Sequence, residues 1–293
     1  MALDFAGVFV PNITPFSAQQ VDEPGLQRLL DYLIEQGASG IVPCGTTGES
    51  ATLDHAEHRR VIELTIQHVA KRVPVIAGTG SNSTAEAIEL TKHAEGSGAD
   101  AALLISPYYN RPMQSGLIEH FSAVARAVKL PVIMYNIPKR TGVNMEPETV
   151  AALAAVPNIV GIKEASGDLN QVNEILRLAP PDFAVLSGDG NMTFSICCLG
   201  GVGAILADAH ILPGEWVRMV DLIAAGEIAR AREIHFRLLP IAKALFLETN
   251  PVPAKAAMEM LGLVGGETRL PLLPATDTCR AVLREEMGKL GLF

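Results

Sequence analysis

The feature that most constrains this fold is a series of eight short apolar runs. Each run is continuously apolar rather than alternating, which is typical of a strand covered on both faces. Parallel strands of this kind need helical crossovers that cover the sheet, so the series predicts an α/β fold. The runs span residues 7–10, 40–43, 73–77, 101–105, 131–135, 159–162, 183–186 and 202–206.

Helical patterns fill the intervals between these runs. In residues 25–36 the apolar side chains fall at the spacing of one helix face, and Gly37 follows as a stop signal. These side chains are Leu26, Leu29, Leu30, Leu33 and Ile34. Similar patterns occupy residues 56–70, 83–97, 117–128 and 146–155. Strands that alternate with helices eight times predict a (β/α)8 TIM barrel rather than an open, doubly wound sheet.

The pattern changes after the eighth run. No further strand is predicted, and helical patterns follow at residues 214–225, 228–247, 253–261 and 276–290. We therefore expect a barrel in residues 1–225 that carries the active site, and a helical C-terminal region in residues 226–293. A chain of 293 residues is long enough for a barrel with such an appendage.

Charge and composition exclude several classes of protein. The formal net charge is −9 and no basic run is present, which argues against nucleic acid or an anionic membrane as the main partner. Residues 1–5 do not resemble the start of a signal peptide, and no apolar run is long enough to span a bilayer. We expect a cytoplasmic protein.

Cysteine and glycine patterns narrow the chemistry further. The four cysteines form no Cys-x-x-Cys pair and no cluster with histidine, so we predict no metal site and no disulfide framework. Cys44 is interpreted as a small, buried structural residue. Residues 78–83 lack the third glycine of a dinucleotide fingerprint, and no phosphate-binding loop is present, so we predict no nucleotide cofactor. The cysteines are Cys44, Cys197, Cys198 and Cys279.

A single lysine ends the sixth apolar run. Residues 159–162 are fully apolar, and Lys163 follows them at the mouth of the predicted core. Burial disfavours the charged form of an amine and so lowers its pKa. A neutral lysine amine is a nucleophile that can form a Schiff base with a carbonyl substrate. The alternative is a snorkelling side chain that pairs with Glu164.

Polar residues also stand at the ends of neighbouring strands, where barrels of this class carry their sites. Glycines flank Thr46 and Thr47, a pattern suited to a small anion; an ordinary turn in which Ser50 or Thr52 caps a helix is the alternative. Three of the four tyrosines follow the fourth and fifth strands, and a phenol near a lysine amine can relay protons. They are Tyr108, Tyr109 and Tyr135.

Two further strand ends complete this set. Arg140 lies in a loop bounded by proline and glycine after the fifth strand, and its planar guanidinium suits a substrate carboxylate. Gly188 follows the seventh strand and permits a close backbone approach. The strand ends together therefore predict a site for a small carboxylate with a reactive lysine in it.

In this order, the motifs resemble the dihydrodipicolinate synthase family, one of the pyruvate-dependent class I aldolases that also include N-acetylneuraminate lyase. The resemblance covers essentially the whole chain. It implies a lyase that condenses pyruvate with L-aspartate 4-semialdehyde to 4-hydroxy-tetrahydrodipicolinate, in lysine and diaminopimelate biosynthesis, with no metal or other cofactor. The matching segments are residues 45–49, 108–112, 135–138, 140–142, 161–165 and 250–255.

The resemblance also implies catalytic roles for four residues. Lys163 would form the Schiff base with pyruvate. Tyr135, Thr47 and Tyr109 would form a proton relay, with Tyr109 reaching in from a neighbouring subunit. A homo-oligomer is then required, either a dimer or a dimer of dimers (a homotetramer), and the sequence leaves that choice open.

Substrate contacts are implied in the same way. Thr46 and Thr47 would bind the pyruvate carboxylate, and Arg140 would hold the carboxylate of the aldehyde. The backbone at Gly188 and Ile205 would shape the pocket. The threonine pair and Arg140 resemble the synthase more than the sialic-acid and sugar-acid lyases, which usually lack that arginine.

The eighth strand departs from the family pattern. Asp208 and His210 follow it, where the synthases usually have a small, uncharged segment. These two residues could alter the pocket for the second substrate. The alternative is a solvated or capping pair that lies outside the barrel.

A feedback site for lysine is the last feature that the resemblance implies. Glu86 would pair with the ammonium group of the ligand, and the histidines and Asn82 would add polar contacts. An exposed helix start near a dimer contact is the alternative for His55 and His58. The matching positions are Ser50, Ala51, His55, His58, Asn82, Glu86 and Tyr108.

Two other functions remain open at this point. A related aldolase would act on a 2-keto-3-deoxy acid or another aldehyde through the same Schiff base, and the sequence does not fix the aldehyde. A non-enzymatic metabolite-binding protein is the more distant alternative, because Lys163 and the tyrosine and threonine residues of the relay are intact.

Overall fold

Eight parallel strands form a barrel in the computed structural model, which describes residues 5–293. They are β1 (Gly7–Val10), β2 (Gly40–Ile41), β3 (Ile76–Gly78), β4 (Ala101–Ile105), β5 (Val132–Asn136), β6 (Ile159–Glu164), β7 (Ala184–Ser187) and β8 (Gly203–Ile205). Hydrogen bonds join them in the order β2-β1-β8-β7-β6-β5-β4-β3. A bridge between Ile41 and Val75 connects the two edge strands, so the sheet closes on itself.

Helices cover the outside of the barrel and extend beyond it. They are α1 (Glu23–Glu35), α2 (His55–Val69), α3 (Thr84–Ser97), α4 (Gln114–Ala127), α5 (Pro147–Ala154), α6 (Leu169–Leu178), α7 (Gly190–Cys198), α8 (Pro213–Ala224), α9 (Ile228–Ala244), α10 (Val252–Met260) and α11 (Asp277–Lys289). Shorter elements are a hairpin (Phe16–Ser17 with Gln20–Val21), a helical turn (Pro138–Thr141) and two 3-10 turns (Ser50–Thr52 and Ala207–His210).

The continuous apolar runs are explained by two separate cores. Side chains that point into the barrel, such as Phe9, Ile133 and Leu186, form one cluster. Side chains that point outward pack against the helices in a second, larger cluster around Trp216 and Phe121. Because each strand supplies residues to both, burial requires apolar residues at successive positions rather than at alternate ones.

A reciprocal side-chain cap fixes where α2, the helix after β2, begins. Asp54 accepts a hydrogen bond from the Glu57 N–H at 2.8 Å, and the Glu57 carboxylate accepts one from the Asp54 N–H at 3.1 Å. This reciprocal pair starts α2 after a separate 3-10 turn. The alternative in which Ser50 or Thr52 caps that helix is therefore wrong.

The C-terminal helices turn back onto the barrel. Helix α9 packs against α7, α8 and α11, and α10 packs on the 3-10 turn Ala207–His210 that follows β8. The chain segment 250–260 is thereby brought to the end of the barrel at which the strands finish. The boundary that we predict after residue 225 falls in the turn between α8 and α9.

The predicted (β/α)8 class with added C-terminal helices is confirmed. The strands begin and end within a few residues of the apolar runs, whereas α6 and α7 were not assigned from sequence. None of the helices formed by residues 5–293 is long and apolar enough to cross a membrane. The prediction of no signal peptide depends mainly on residues 1–4, which lie outside the described part of the chain.

Candidate active site

Lys163 lies inside β6 rather than after it. Its register partners are Tyr135 on β5 and Leu186 on β7, and it is only 6% exposed. Glu164 points to the opposite side of the strand and accepts hydrogen bonds from Asn136 (3.0 Å) and Gln171 (3.1 Å). The alternative in which Lys163 pairs with Glu164 is therefore wrong.

The environment of Lys163 favours its neutral form. Burial lowers the pKa of Lys163 to about 7, against a rise caused by the Asp208 carboxylate and a further lowering by the Arg140 guanidinium. The amine nitrogen lies 4.2 Å from the centre of the Tyr135 ring. A large fraction of this amine is therefore unprotonated, and nucleophilic, near neutral pH.

Gly188 is placed where only a glycine fits. A Cβ atom at this position would lie 2.9 Å from Cε of Lys163 and 2.7 Å from Cβ of Ala165. The loop after β7 thus passes directly beside the lysine side chain. The close approach predicted from sequence is present, and its partner is the Lys163 side chain.

Tyr135 and the threonine pair meet at the same end of the barrel. Burial raises the pKa of Tyr135 to about 12, while a hydrogen bond with Thr46 opposes that rise. Thr47 is buried, and its hydroxyl oxygen accepts a hydrogen bond from the Asn250 amide at 3.0 Å. The phenol is therefore protonated at neutral pH and hydrogen-bonded to the loop that follows β2.

Arg140 lies on the helical turn Pro138–Thr141 after β5, and its guanidinium donates a hydrogen bond to the Asn250 carbonyl at 3.0 Å. One residue of the C-terminal region thus contacts both Thr47 and Arg140. In the sequence, Asn250 is marked only by its place in the matching segment 250–255. The sequence signal that could have identified it is an asparagine directly before the Pro251-Val252-Pro253 segment that starts a helix, and this signal is weak by itself.

Thr46, Tyr135 and Arg140 line a cavity of about 480 Å³. The volume is suited to a small metabolite. Lys163 is next to this cavity, through its contact with the Tyr135 ring, and is not part of the lining. Ile205 on β8 is fully buried inside the barrel, in register with Phe9.

The same cavity continues to most of the residues predicted to bind lysine. The Nε2 atom of His55 lies 2.7 Å from the Glu86 carboxylate, which also accepts a hydrogen bond from Ser81. These contacts lower the pKa of Glu86, with the Ser81 hydrogen bond as the largest cause. Of the predicted set, the cavity lining includes Ser50, Ala51, His55, His58, Glu86 and Tyr108.

Asn82 and His58 differ from the rest of that set. Asn82 is absent from the cavity lining, and its carbonyl accepts a hydrogen bond from the Asn110 side chain at 2.9 Å. His58 is buried, and burial lowers its pKa to about 4. An exposed helix start therefore describes His55 but not His58.

Tyr109 projects away from the barrel. Its side chain is 90% exposed, and its backbone has a φ of +70°, in the left-handed region that residues with a side chain seldom adopt. Within one chain the structure therefore does not bring Tyr109 to Lys163. Its entry into a neighbouring site remains a prediction.

Asp208 and His210 are both completely buried, so the interpretation of a solvated pair is wrong. The His210 ring accepts a hydrogen bond from the Ile13 N–H at 3.1 Å and donates one to the Ala207 carbonyl at 2.8 Å. Burial lowers its pKa to about 4. His210 is thus a neutral residue that ties the loop after β1 to the turn after β8.

A buried ion pair beneath the loop after β2 was missed by sequence analysis. Lys255 on α10 pairs with Glu49, and both side chains are at most 1% exposed. Lys255 also donates to the Glu267 carbonyl at 2.8 Å and lies over the Phe16 ring. Cys44, in the same loop, is buried as predicted. The pair fixes the loop that carries Thr46 and Thr47 to the C-terminal region.

No group of three or more His, Cys, Asp or Glu side chains within residues 5–293 is arranged to hold a metal ion. The candidate functional side chains are a desolvated amine, a phenol, two hydroxyls and a guanidinium at the ends of the barrel strands. Fold and site together define a (β/α)8 enzyme of the aldolase-type lyase class.

The chain belongs to the dihydrodipicolinate synthetase family, whose family model matches residues 4–289. A 4-hydroxy-tetrahydrodipicolinate synthase from Syntrophus aciditrophicus strain SB is 53% identical over 289 residues, which cover 99% of each chain. The resemblance inferred from the motifs is confirmed by this match.

Two solved structures show the same similarity in three dimensions. The chloride-inhibited dihydrodipicolinate synthase of Acinetobacter baumannii, complexed with pyruvate, is 42% identical with a TM-score of 0.96, covering 99% of this chain and 100% of that one. The enzyme of Cyanidioschyzon merolae, with lysine bound, is 43% identical with a TM-score of 0.96, covering 99% of each chain. The fold is therefore that of the family throughout.

Proposed function

We propose that this chain condenses pyruvate with L-aspartate 4-semialdehyde to give 4-hydroxy-tetrahydrodipicolinate, in the biosynthesis of diaminopimelate and lysine. The observation that carries the proposal is Lys163: a buried amine with a pKa of about 7, beside Tyr135 and next to the cavity. The names of the relatives and the pyruvate in the Acinetobacter baumannii structure support it.

The reaction follows from the chemistry of the amine. The neutral amine of Lys163 attacks the ketone carbon of pyruvate and passes a proton to the oxygen, and the carbinolamine hydroxyl then takes up a second proton and leaves as water, so that an iminium ion remains. The iminium acidifies the neighbouring methyl group, and the enamine formed by loss of that proton attacks the aldehyde carbon, whose oxygen takes up a proton. The amino group of the aldehyde substrate then attacks the re-formed iminium carbon and displaces the Lys163 amine, which closes the ring and releases the product. Because the iminium stabilises the carbanion, the proposed reaction uses no metal or other cofactor.

The residues around Lys163 have the remaining roles in this proposal. Tyr135, hydrogen-bonded to Thr46, would pass protons to and from the pyruvate oxygen, and Thr47 would continue the relay. The backbone and hydroxyls of Thr46 and Thr47 would bind the pyruvate carboxylate. Because Gly188 has no side chain, the loop after β7 can contact the substrate closely.

Arg140 is proposed to bind the carboxylate of the aldehyde, because its guanidinium lines the cavity with donors to spare beyond the Asn250 carbonyl. Ile205 would form part of the pocket wall on the side of β8. This assignment distinguishes aspartate semialdehyde, which has a carboxylate, from uncharged aldehydes.

A homo-oligomer, a dimer or a dimer of dimers, is part of the same proposal. The exposed ring of Tyr109, held in a left-handed backbone conformation, supports a role outside its own chain. We also propose a cytoplasmic location, with which four free thiols accord. Neither nucleic acid nor a membrane is proposed as a partner.

Inhibition by lysine is a further part of the proposal. The cavity that contains His55 and Glu86 has a carboxylate for the ammonium of the ligand, and the Cyanidioschyzon merolae relative has been solved with lysine bound. Titration with lysine should reduce turnover. Full activity and no heat of binding at millimolar lysine would contradict this part alone.

A coupled assay tests the main reaction. Pyruvate and aspartate semialdehyde are supplied with dihydrodipicolinate reductase, and oxidation of the nicotinamide cofactor is followed. We expect turnover in the ordinary enzyme range of about 1–1000 s⁻¹. No turnover from a protein that still forms a borohydride-trapped pyruvate adduct would contradict the proposed aldehyde and favour a related aldolase.

Arg140→Ala separates the two substrates. We expect it to weaken use of aspartate semialdehyde by about 10- to 150-fold while the pyruvate adduct still forms, since the loss of one hydrogen bond to a charged group costs about 1.5–3 kcal/mol. Arg111→Ala, a change of the same type on a neighbouring exposed arginine, is the control. Equal loss in both variants would contradict the assignment of Arg140.

A further inference from the structure

Asp208 is a buried carboxyl group that the proposed reaction does not yet use. It lies in the 3-10 turn Ala207–His210 directly after β8 and is completely inaccessible to solvent. Neither of its side-chain oxygens has a hydrogen-bond partner among residues 5–293, although the backbone N–H groups of Gly190 and of Asp208 itself lie near the carboxyl group. A buried carboxyl group without a partner is costly, so its retention calls for a reason.

The loop between β7 and α7 brings Asp208 into the surroundings of Lys163. Gly188, at one end of this loop, contacts the Cε atom of Lys163. Gly190, at the other end, contacts the carboxyl group of Asp208, since a Cβ atom there would lie 2.9 Å from Cγ. An added Cβ atom at either glycine would come within 3.0 Å of these side chains, so the loop packs closely against both Lys163 and Asp208.

Few charged groups surround this pair. Asp189, on the same loop, and Lys163, on β6, face Asp208, while Arg140, on the turn after β5, acts on Lys163 from the cavity. Burial and the nearby Asp189 carboxylate raise the pKa of Asp208 to about 7, and the charge of Lys163 opposes that rise. In turn, Asp208 raises the pKa of Lys163 against its burial.

We propose that Asp208 is a positioning residue for the proposed Schiff-base reaction: its buried carboxylate is the counter-charge that stabilises the cationic forms of Lys163. The proposal depends on the function given above and assigns Asp208 to the step in which pyruvate is bound covalently. Arg140, the other charged group that acts on Lys163, is a cation and works in the opposite direction.

The charge on Lys163 changes twice in that step. The ammonium form loses a proton, the neutral amine forms a C–N bond with the ketone carbon, and water leaves, so that ammonium plus ketone become iminium plus water. The first and last states are cations and the reactive amine is neutral. A fixed carboxylate therefore stabilises the iminium ion, and it also holds the amine protonated to a higher pH.

Asp208→Asn tests this with a readout that a merely structural role would not move. Pyruvate adducts are trapped with borohydride and measured by mass spectrometry from pH 5 to pH 10. The acid limb is the pH range in which the rate of adduct formation rises with pH. We expect this limb to move about one pH unit lower, because the Lys163 amine loses its proton more easily without the nearby carboxylate. Above that limb, about tenfold more pyruvate should be needed for half-maximal adduct, whereas below it the requirement should be unchanged.

Two other variants keep the test decisive. Asp168→Asn makes the same chemical change at an exposed helix cap and should leave the profile as in the wild type. Asp189→Asn keeps the cap of α7 but removes the charge that faces Asp208, so Asp208 ionises more readily. Because ionised Asp208 raises the pKa of Lys163, the acid limb should then move to higher pH. If Asp208→Asn fails to fold, the direction in which the acid limb moves in Asp189→Asn tests the proposal.

An acid limb that stays in place in folded Asp208→Asn would overturn the proposal. So would an unchanged limb in Asp189→Asn where Asp208→Asn fails to fold. The failure of the function itself is seen separately, because the wild-type protein would then form no pyruvate adduct at any pH.

Discussion

Two lysines among residues 5–293 are buried, and their surroundings are opposite. Lys255 is 0% exposed and has a carboxylate, a carbonyl and an aromatic ring around its ammonium group: Glu49, Glu267 and Phe16. Lys163 is 6% exposed and has the Tyr135 ring beside its amine, with Asp208 and Arg140 acting on it at longer range.

The comparison separates a lysine held in a structural ion pair from a lysine whose surroundings suit the reactive role proposed for it. Burial lowers both pKa values, to about 8 for Lys255 and about 7 for Lys163, so desolvation by itself does not distinguish them. The difference lies in hydrogen bonding. The Lys255 nitrogen is occupied by acceptors, whereas the Lys163 nitrogen remains available to a carbonyl carbon.

Replacing the reactive lysine should have the largest effect on activity. We expect Lys163→Met to lower turnover by roughly 10⁴-fold or more and to abolish the borohydride-trapped pyruvate adduct, because the nucleophile is gone. Mass spectrometry locates the adduct. The folded fraction of Lys255→Met should still form it, and an adduct found on Lys255 in the wild type would reverse the comparison.

Replacing the structural lysine should have the largest effect on stability. We expect Lys255→Met to lower the free energy of unfolding by about 3–5 kcal/mol, because Glu49 is left buried without its partner. Denaturant unfolding followed by the fluorescence of the single tryptophan, buried Trp216, measures this loss. A Glu49→Gln/Lys255→Met double variant should recover most of it; a double variant as unstable as the single one would contradict the ion-pair explanation.

Much of the fold could be predicted because it depends on local patterns. Continuous apolar runs mark strands that are covered on both sides, and three to four residue spacing marks α1. Helices α6 and α7 were missed because each begins at an aspartate cap beside a glycine, where a turn is equally compatible with the sequence. The geometry of the aspartate cap, rather than the composition of the segment, decides between a helix and a turn.

For the site, too, residues marked by local patterns could be predicted, whereas residues that meet only through long-range packing could not. Lys163, Thr46 and Tyr135 stand at predicted strand ends, and barrel closure brings strand ends together. The Glu49–Lys255 pair joins positions 206 residues apart in sequence, and no spacing rule connects them. Long-range pairs of this kind follow from how the C-terminal helices pack onto the barrel, which single-sequence patterns do not encode.

The pH dependence of adduct formation tests whether burial lowers the pKa of Lys163. Because its pKa is about 7, we expect the rate of pyruvate trapping to rise about tenfold per pH unit below pH 7 and to level off above it. Tyr135→Phe should lower the rate without moving the midpoint. A midpoint near 10.5, the ordinary value for lysine, would show that burial does not activate this amine.

The smallest effect concerns stability at Lys163, and it should have the opposite sign to that at Lys255. At pH 7 we expect Lys163→Met to raise the free energy of unfolding by about 1 kcal/mol, because an amine without a hydrogen-bonded partner is replaced by an apolar side chain of similar length. Between about pH 7 and pH 10.5, Lys163 is protonated in the unfolded chain and neutral in the folded one. Its contribution to the stability of the wild-type protein therefore rises with pH across that interval. The advantage of the variant should therefore shrink towards pH 10, as measured by Trp216 fluorescence in denaturant. An advantage that grows with pH, or a loss of stability at pH 7, would place Lys163 in the same structural class as Lys255.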